Sequence, residues 1–108
     1  MTLNEYQIAA LETAQYPKEY KILYPALGLN GEAGEVADKV KKVIRDKEGN
    51  FTTEGKANIA MELGDVLWYV ATMAHDIGYS LEEIGIMNRD KLRSRKERGM
   101  IGGSGDNR

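Results

Sequence analysis

Apolar residues recur at three- and four-residue spacings along most of the chain, and no stretch alternates as a strand would. Leu3, Tyr6, Ala10, Leu11 and Ala14 mark a first helix, opened by the capping box Thr2-x-x-Glu5, running to about Gln15 and closed by Pro17. A connector holding Tyr20, Ile22 and Tyr24 leads to Pro25, which suits the first turn of a second helix extending to about Asp46. The apolar stripe of that helix is Leu29, Val36, Val40, Val43 and Ile44, and Glu48-Gly49-Asn50 reads as the turn after it. A third helix from about Glu54 to Asp76 carries Ile59, Leu63, Val66, Val70, Met73 and Ile77, with Gly78 placed to stop it. Ser80-x-x-Glu83 is a second capping box, opening a fourth helix with Leu81, Ile84, Met87 and Leu92. The pattern predicts an all-α fold, a small four-helix bundle-like domain over residues 1–98, and a flexible glycine-rich tail over residues 99–108.

Composition narrows the chemistry that such a domain can carry. A chain of 108 residues makes one domain with a modest core. It has no cysteine, which removes disulfides, thiolate nucleophiles, iron–sulfur clusters and Cys-type zinc sites. With His75 as the sole histidine, a multi-histidine metal centre within one chain is excluded too. A net charge of -2 lacks the basic surplus that phosphate neutralisation demands, so no nucleic-acid partner is expected. No apolar run approaches the length of a membrane span, and no signal peptide is indicated. The expectation is a soluble, cytoplasmic protein.

Two acidic pairs at helical spacing stand out, Glu32 with Glu35 and Glu62 with Asp65. Spacing alone is weak, since 17 acids scattered at random over 108 positions produce about three such pairs. Their surroundings are more specific. Both lie in the pattern Glu-x-Gly-acid-Val, and the match extends to Leu29/Ile59 and Val40/Val70, a pseudo-repeat of thirty residues. Each pair flanks the apolar stripe of its helix, so packing the stripes together brings four carboxylates to one edge of the core. Two carboxylates about 5 Å apart repel by roughly 3 kcal/mol at an effective dielectric near 20, so the group is expected to take up protons or bind cations. An all-oxygen donor set suits Mg²⁺, with Mn²⁺ as a substitute. Gly34 and Gly64, at equivalent interior positions of the two helices, are expected to permit close helix approach. Lys39, one turn after Glu35, reads as its intrahelical ion-pair partner, and Trp68 as the cover of a subunit contact.

On the fourth helix, Asn88, Lys91 and Arg95 share one face and offer an amide, an ammonium and a guanidinium. Together, the stretch from Leu27 through Glu32-Ala33-Gly34-Glu35-Val36 to Asp38, then Glu62-Leu63-Gly64-Asp65-Val66-Leu67-Trp68-Tyr69, then Asn88-x-x-Lys91-Leu92-x-x-Arg95, resemble the MazG-like branch of the all-α nucleoside triphosphate pyrophosphohydrolases. The resemblance spans residues from about 27 to 95. It implies Mg²⁺-dependent cleavage of a nucleoside triphosphate to the monophosphate and pyrophosphate. Glu32, Glu35, Glu62 and Asp65 then match the metal ligands, and Asn88, Lys91 and Arg95 match the polyphosphate contacts. One of the carboxylates, for which Glu35 is our choice, also orients or deprotonates the water, and spacing does not separate ligand from base. It also implies a homodimer or homotetramer, which agrees with the shallow core of so short a chain. Two other readings share these residues: hydrolysis of a phosphoanhydride such as phosphoribosyl-ATP, and a non-catalytic helical interaction module.

Overall fold

The computed structural model describes all 108 residues and consists of four helices, α1 (Leu3–Leu11), α2 (Leu23–Lys47), α3 (Thr53–Asp76) and α4 (Leu81–Glu97), with a 3₁₀ turn at Lys18–Tyr20 and no strand. Both expected capping boxes form. Thr2 Oγ1 accepts from the Glu5 N–H at 3.1 Å while Glu5 accepts from the Thr2 N–H at 2.9 Å, and Ser80 and Glu83 do the same at 3.1 and 3.2 Å. Thr52 caps α3 through the Gly55 N–H at 3.0 Å. Each such cap satisfies helix-end donors that would otherwise lack partners.

The boundaries depart from the sequence pattern at two places, and both have a tertiary cause. Helix α1 stops at Leu11 rather than near Gln15, because the Thr13 hydroxyl turns back to the Ala10 carbonyl at 3.0 Å and also accepts the Trp68 indole N–H at 2.8 Å. Trp68 therefore ties α3 to the end of α1 within one chain. Helix α2 begins at Leu23, two residues before Pro25, because the Ile22 N–H is held by Asp76 at 3.0 Å. Ile22 itself sits at φ 71 and ψ -56, and the Leu23 N–H bonds to the Lys21 carbonyl at 2.8 Å across it. That is a γ-turn at a β-branched residue, a conformation costing about 1–3 kcal/mol.

Helices α2 and α3 form a long antiparallel hairpin, joined through Glu48 and Gly49, which both take positive φ. Helix α1 crosses α3, and α4 packs on α1 and α3. The core sits where these three meet: Ala10, Ala71 and Leu81 are buried, with Tyr6, Trp68 and Val70 packed against them. Gln7 is the polar pin of that core. Its amide donates to the Ala71 and Tyr79 carbonyls, each at 3.1 Å, and its carbonyl accepts the Leu81 N–H at 3.0 Å, so one buried side chain fastens α1 to α3 and to the start of α4.

Only eight of 108 residues are buried. The accessible surface is 7868 Å², against about 6,000 Å² for a compact protein of this mass. The radius of gyration is 16.7 Å, against about 13 Å. The surplus lies in the outer parts of α2, α3 and α4. Every residue from Gly85 to Arg93 is exposed, as are Leu27, Ile44 and Met61 on the hairpin. No helix is long and apolar enough to cross a membrane.

Candidate metal centre

The thirty-residue pseudo-repeat is visible in the structure as well as in the sequence. Residues 31–40 of α2 and 61–70 of α3 carry identical sequences of exposed and partly buried positions. Because the helices run antiparallel, the two copies face each other about a local two-fold, and their acids meet in the middle of the groove. Glu32, Glu62 and Asp65 each place a carboxylate oxygen within 4.8 Å of the others. Glu35 does not join this group; it is exposed on the flank of α2. Three of the four expected carboxylates converge, and the fourth stands at their edge.

The electrostatics agree with that geometry. Desolvation, followed by the charges of Asp65, Glu62 and then Glu35, holds the Glu32 carboxyl above its ordinary 4.5. Burial and the Asp65 charge likewise raise the Tyr6 phenol on α1. One cation touches the group. Lys39 Nζ lies 3.9 Å from Glu62 Oε1 on the other helix, so it bridges α2 and α3 instead of pairing with Glu35 along α2. An all-oxygen set bearing three negative charges and one partial counter-charge fits a hard divalent cation.

Above the acids, toward the start of α2, the groove is aromatic. Tyr69 lies so close over Gly28 that a Cβ there would collide with its ring. Tyr24 stands 6.5 Å from Tyr69 and stacks on Tyr16 at 5.0 Å with an interplanar angle of 14°, while Trp68 meets Tyr69 edge-on at 4.9 Å. The glycine that allows close approach is therefore Gly28. Gly34 and Gly64 have nothing within 4 Å of where a Cβ would be, contrary to the close approach expected of them.

The family model for the MazG nucleotide pyrophosphohydrolase domain matches residues 23–100, spanning α2, α3, α4 and the groove acids. The chain belongs to this family. A relative over the full length of both chains is the Gene 37 protein of Mycobacterium phage L5, 48% identical over 114 aligned positions; its name states no activity. No solved structure matches the chain.

Within this MazG domain the three expected phosphate contacts all lie on α4 but differ in exposure. Asn88 and Lys91 lie on the exposed stretch of α4. Arg95 is buried, and its guanidinium donates to the Asp106 carbonyl at 2.7 Å. The tail folds back over it, held further by Arg98 donating to the Arg108 carbonyl at 2.6 Å and by Arg108 donating to the Ile101, Gly102 and Gly105 carbonyls. Asp76 and Gln7 carry no recognisable sequence signal, since their partners lie 54 to 74 residues away.

Proposed function

We propose that the protein is a nucleoside triphosphate pyrophosphohydrolase that uses Mg²⁺, with Mn²⁺ as a substitute, held by Glu32, Glu62 and Asp65. The observation that carries this reading is the convergence of three carboxylates from the two halves of a pseudo-repeat, in a chain of the MazG family. A bound divalent cation supplies charge neutralisation at phosphate oxygens and lowers the pKa of water. The chain's own groups do the rest. Glu35, at the edge of the group rather than within it, orients and deprotonates the attacking water. The net reaction adds water across the anhydride bond between the α and β phosphates; the bond breaks, one phosphorus gains the water oxygen and the other keeps the bridging one. Asn88, Lys91 and Arg95 contact the polyphosphate.

A second copy of the chain belongs to the same proposal. The surplus surface of about 1,900 Å² exceeds the roughly 800 Å² that each partner contributes to a standard interface. It includes apolar side chains on the hairpin, Leu27 at 76% exposure and Met61 at 74%. The exposed face of α4 with Asn88 and Lys91 then has a partner's groove to reach, and Arg95 joins it once the tail is displaced.

A panel of nucleoside and deoxynucleoside triphosphates incubated with Mg²⁺ is expected to yield monophosphate and pyrophosphate. Glu62→Gln and Asp65→Asn should abolish both turnover and Mn²⁺ binding. Glu35→Gln should lower kcat about 100-fold or more while retaining Mn²⁺. Release of orthophosphate, or full activity in all three variants, refutes the proposal.

A further inference from the structure

The groove is symmetric in its acids and asymmetric at its ends. The pseudo-repeat places Lys39 and Tyr69 in equivalent positions, and likewise Asn58 and Gly28. At one end Tyr69 covers Gly28, and the charge of Glu32 acts on its phenol. At the other, Lys39 shares a cleft with Asn58 and contacts Glu62. A local two-fold has thus been given an aromatic end and a cationic end, with the carboxylates between them.

The cationic end opens into a cleft of about 660 Å³ between the last turns of α2 and the first of α3. Lys39, Lys42, Lys47 and Asn58 line it, together with the acids Asp46 and Glu54. Asp46 is already paired with Arg45 at 2.8 Å, and Lys42 with Asp38 at 2.8 Å. Lys47 makes no ion pair, and the 3.9 Å contact of Lys39 is long for one, with its side chain 41% exposed. Lys39 therefore stands at the junction of the acids and the cleft, loosely held and able to turn from Glu62 toward an incoming anion.

We propose that this cleft receives the β- and γ-phosphates, the part of the substrate that leaves as pyrophosphate, with Lys39 and Asn58 as the hairpin's own binding residues beside the α4 contacts proposed above. This rests on the pyrophosphohydrolase reading above and adds a direction to it. The nucleoside lies toward Tyr24 and Tyr69, the α phosphate over the acids, and the leaving group toward the hairpin turn. Lys39 acts as counter-ion to Glu62 in the free protein. With Glu32, Glu62 and Asp65 holding a divalent cation, Lys39 would no longer be needed as their counter-charge, and its ammonium would be free to make a charge-assisted hydrogen bond to phosphate oxygens.

The test is calorimetric titration of pyrophosphate, of a nucleoside monophosphate and of Mn²⁺ onto the full chain and its Lys39→Ala, Lys39→Arg and Asn58→Ala variants. Lys39→Ala should weaken pyrophosphate binding in the presence of Mg²⁺ about ten-fold or more, and Asn58→Ala by several-fold. Monophosphate affinity should stay within about two-fold of the parent, and Mn²⁺ affinity should be undiminished or higher in Lys39→Ala, which loses the counter-ion of Glu62, so that the fold and the acids are shown to be intact. Lys39→Arg should restore most of the loss. Unchanged pyrophosphate binding in both alanine variants, an equal loss for the two nucleotide-derived ligands, or a parent chain that binds no pyrophosphate overturns the inference. If the parent cleaves triphosphates and Lys39→Ala binds pyrophosphate normally, the direction is wrong and the activity stands. A parent that binds pyrophosphate through Lys39 without cleaving triphosphates supports the cleft as a pyrophosphate site and refutes the activity.

Discussion

Asp76 Oδ2 accepts from the Tyr16 hydroxyl at 2.7 Å and from the Ile22 N–H at 3.0 Å, and the two bonds act on stability in different ways. The first fixes a neutral phenol beside a carboxylate. Burial, and then the Asp76 bond and charge, push the Tyr16 pKa up to about 12 from an ordinary 10.0. The folded state thus disfavours tyrosinate, so the contribution is fully present below pH 10 and is lost as the pH rises toward 12. Tyr16→Phe should cost about 1 kcal/mol at neutral pH and flatten the alkaline loss of stability. Denaturant midpoints of the two proteins that fall in parallel above pH 10 would sink this account. The second bond holds Ile22 in its strained turn and starts α2 early. Neither was legible in the sequence, because helical periodicity reports neighbours within a turn or two and these partners are 54 and 60 residues apart. What was legible at this scale is what spacing governs: the Thr2 and Ser80 capping boxes, and the acids at 32, 62 and 65.

For the helices, the pseudo-repeat was the most informative feature, because a shared pattern on two antiparallel segments fixes both which faces meet and where their acids come together. It pointed to the groove and named four carboxylates for it, of which three converge. It could not show that Glu35 stays outside, which depends on how far α2 is rotated, or that Lys39 leaves its own helix for Glu62. The open surroundings of Gly34 make a sharper test of the hairpin. A glycine in a helix interior costs about 1 kcal/mol relative to alanine, and a Cβ here meets nothing within 4 Å. Gly34→Ala should therefore raise the melting temperature by about 5 °C in thermal unfolding followed by circular dichroism. A lower melting temperature would mean that another helix fills that space.

At the scale of the whole molecule, a chain of 12.0 kDa with eight buried residues and an α4 exposed from Gly85 to Arg93 has surface it has not folded against itself. Multi-angle light scattering should return at least twice the chain mass, and a monomer at micromolar concentration would remove the proposed second copy. The pin at Gln7 has its own consequence, and it concerns time. The α2/α3 hairpin closes through one short turn, a local event. Gln7 must find partners 64, 72 and 74 residues along the chain, after the hairpin and the start of α4 exist to supply them. Such non-local closure is the slow kind. The expectation is that the acids of the hairpin meet before α1 docks, with Lys39 as the cation beside them, and that α1 is the clasp that closes last.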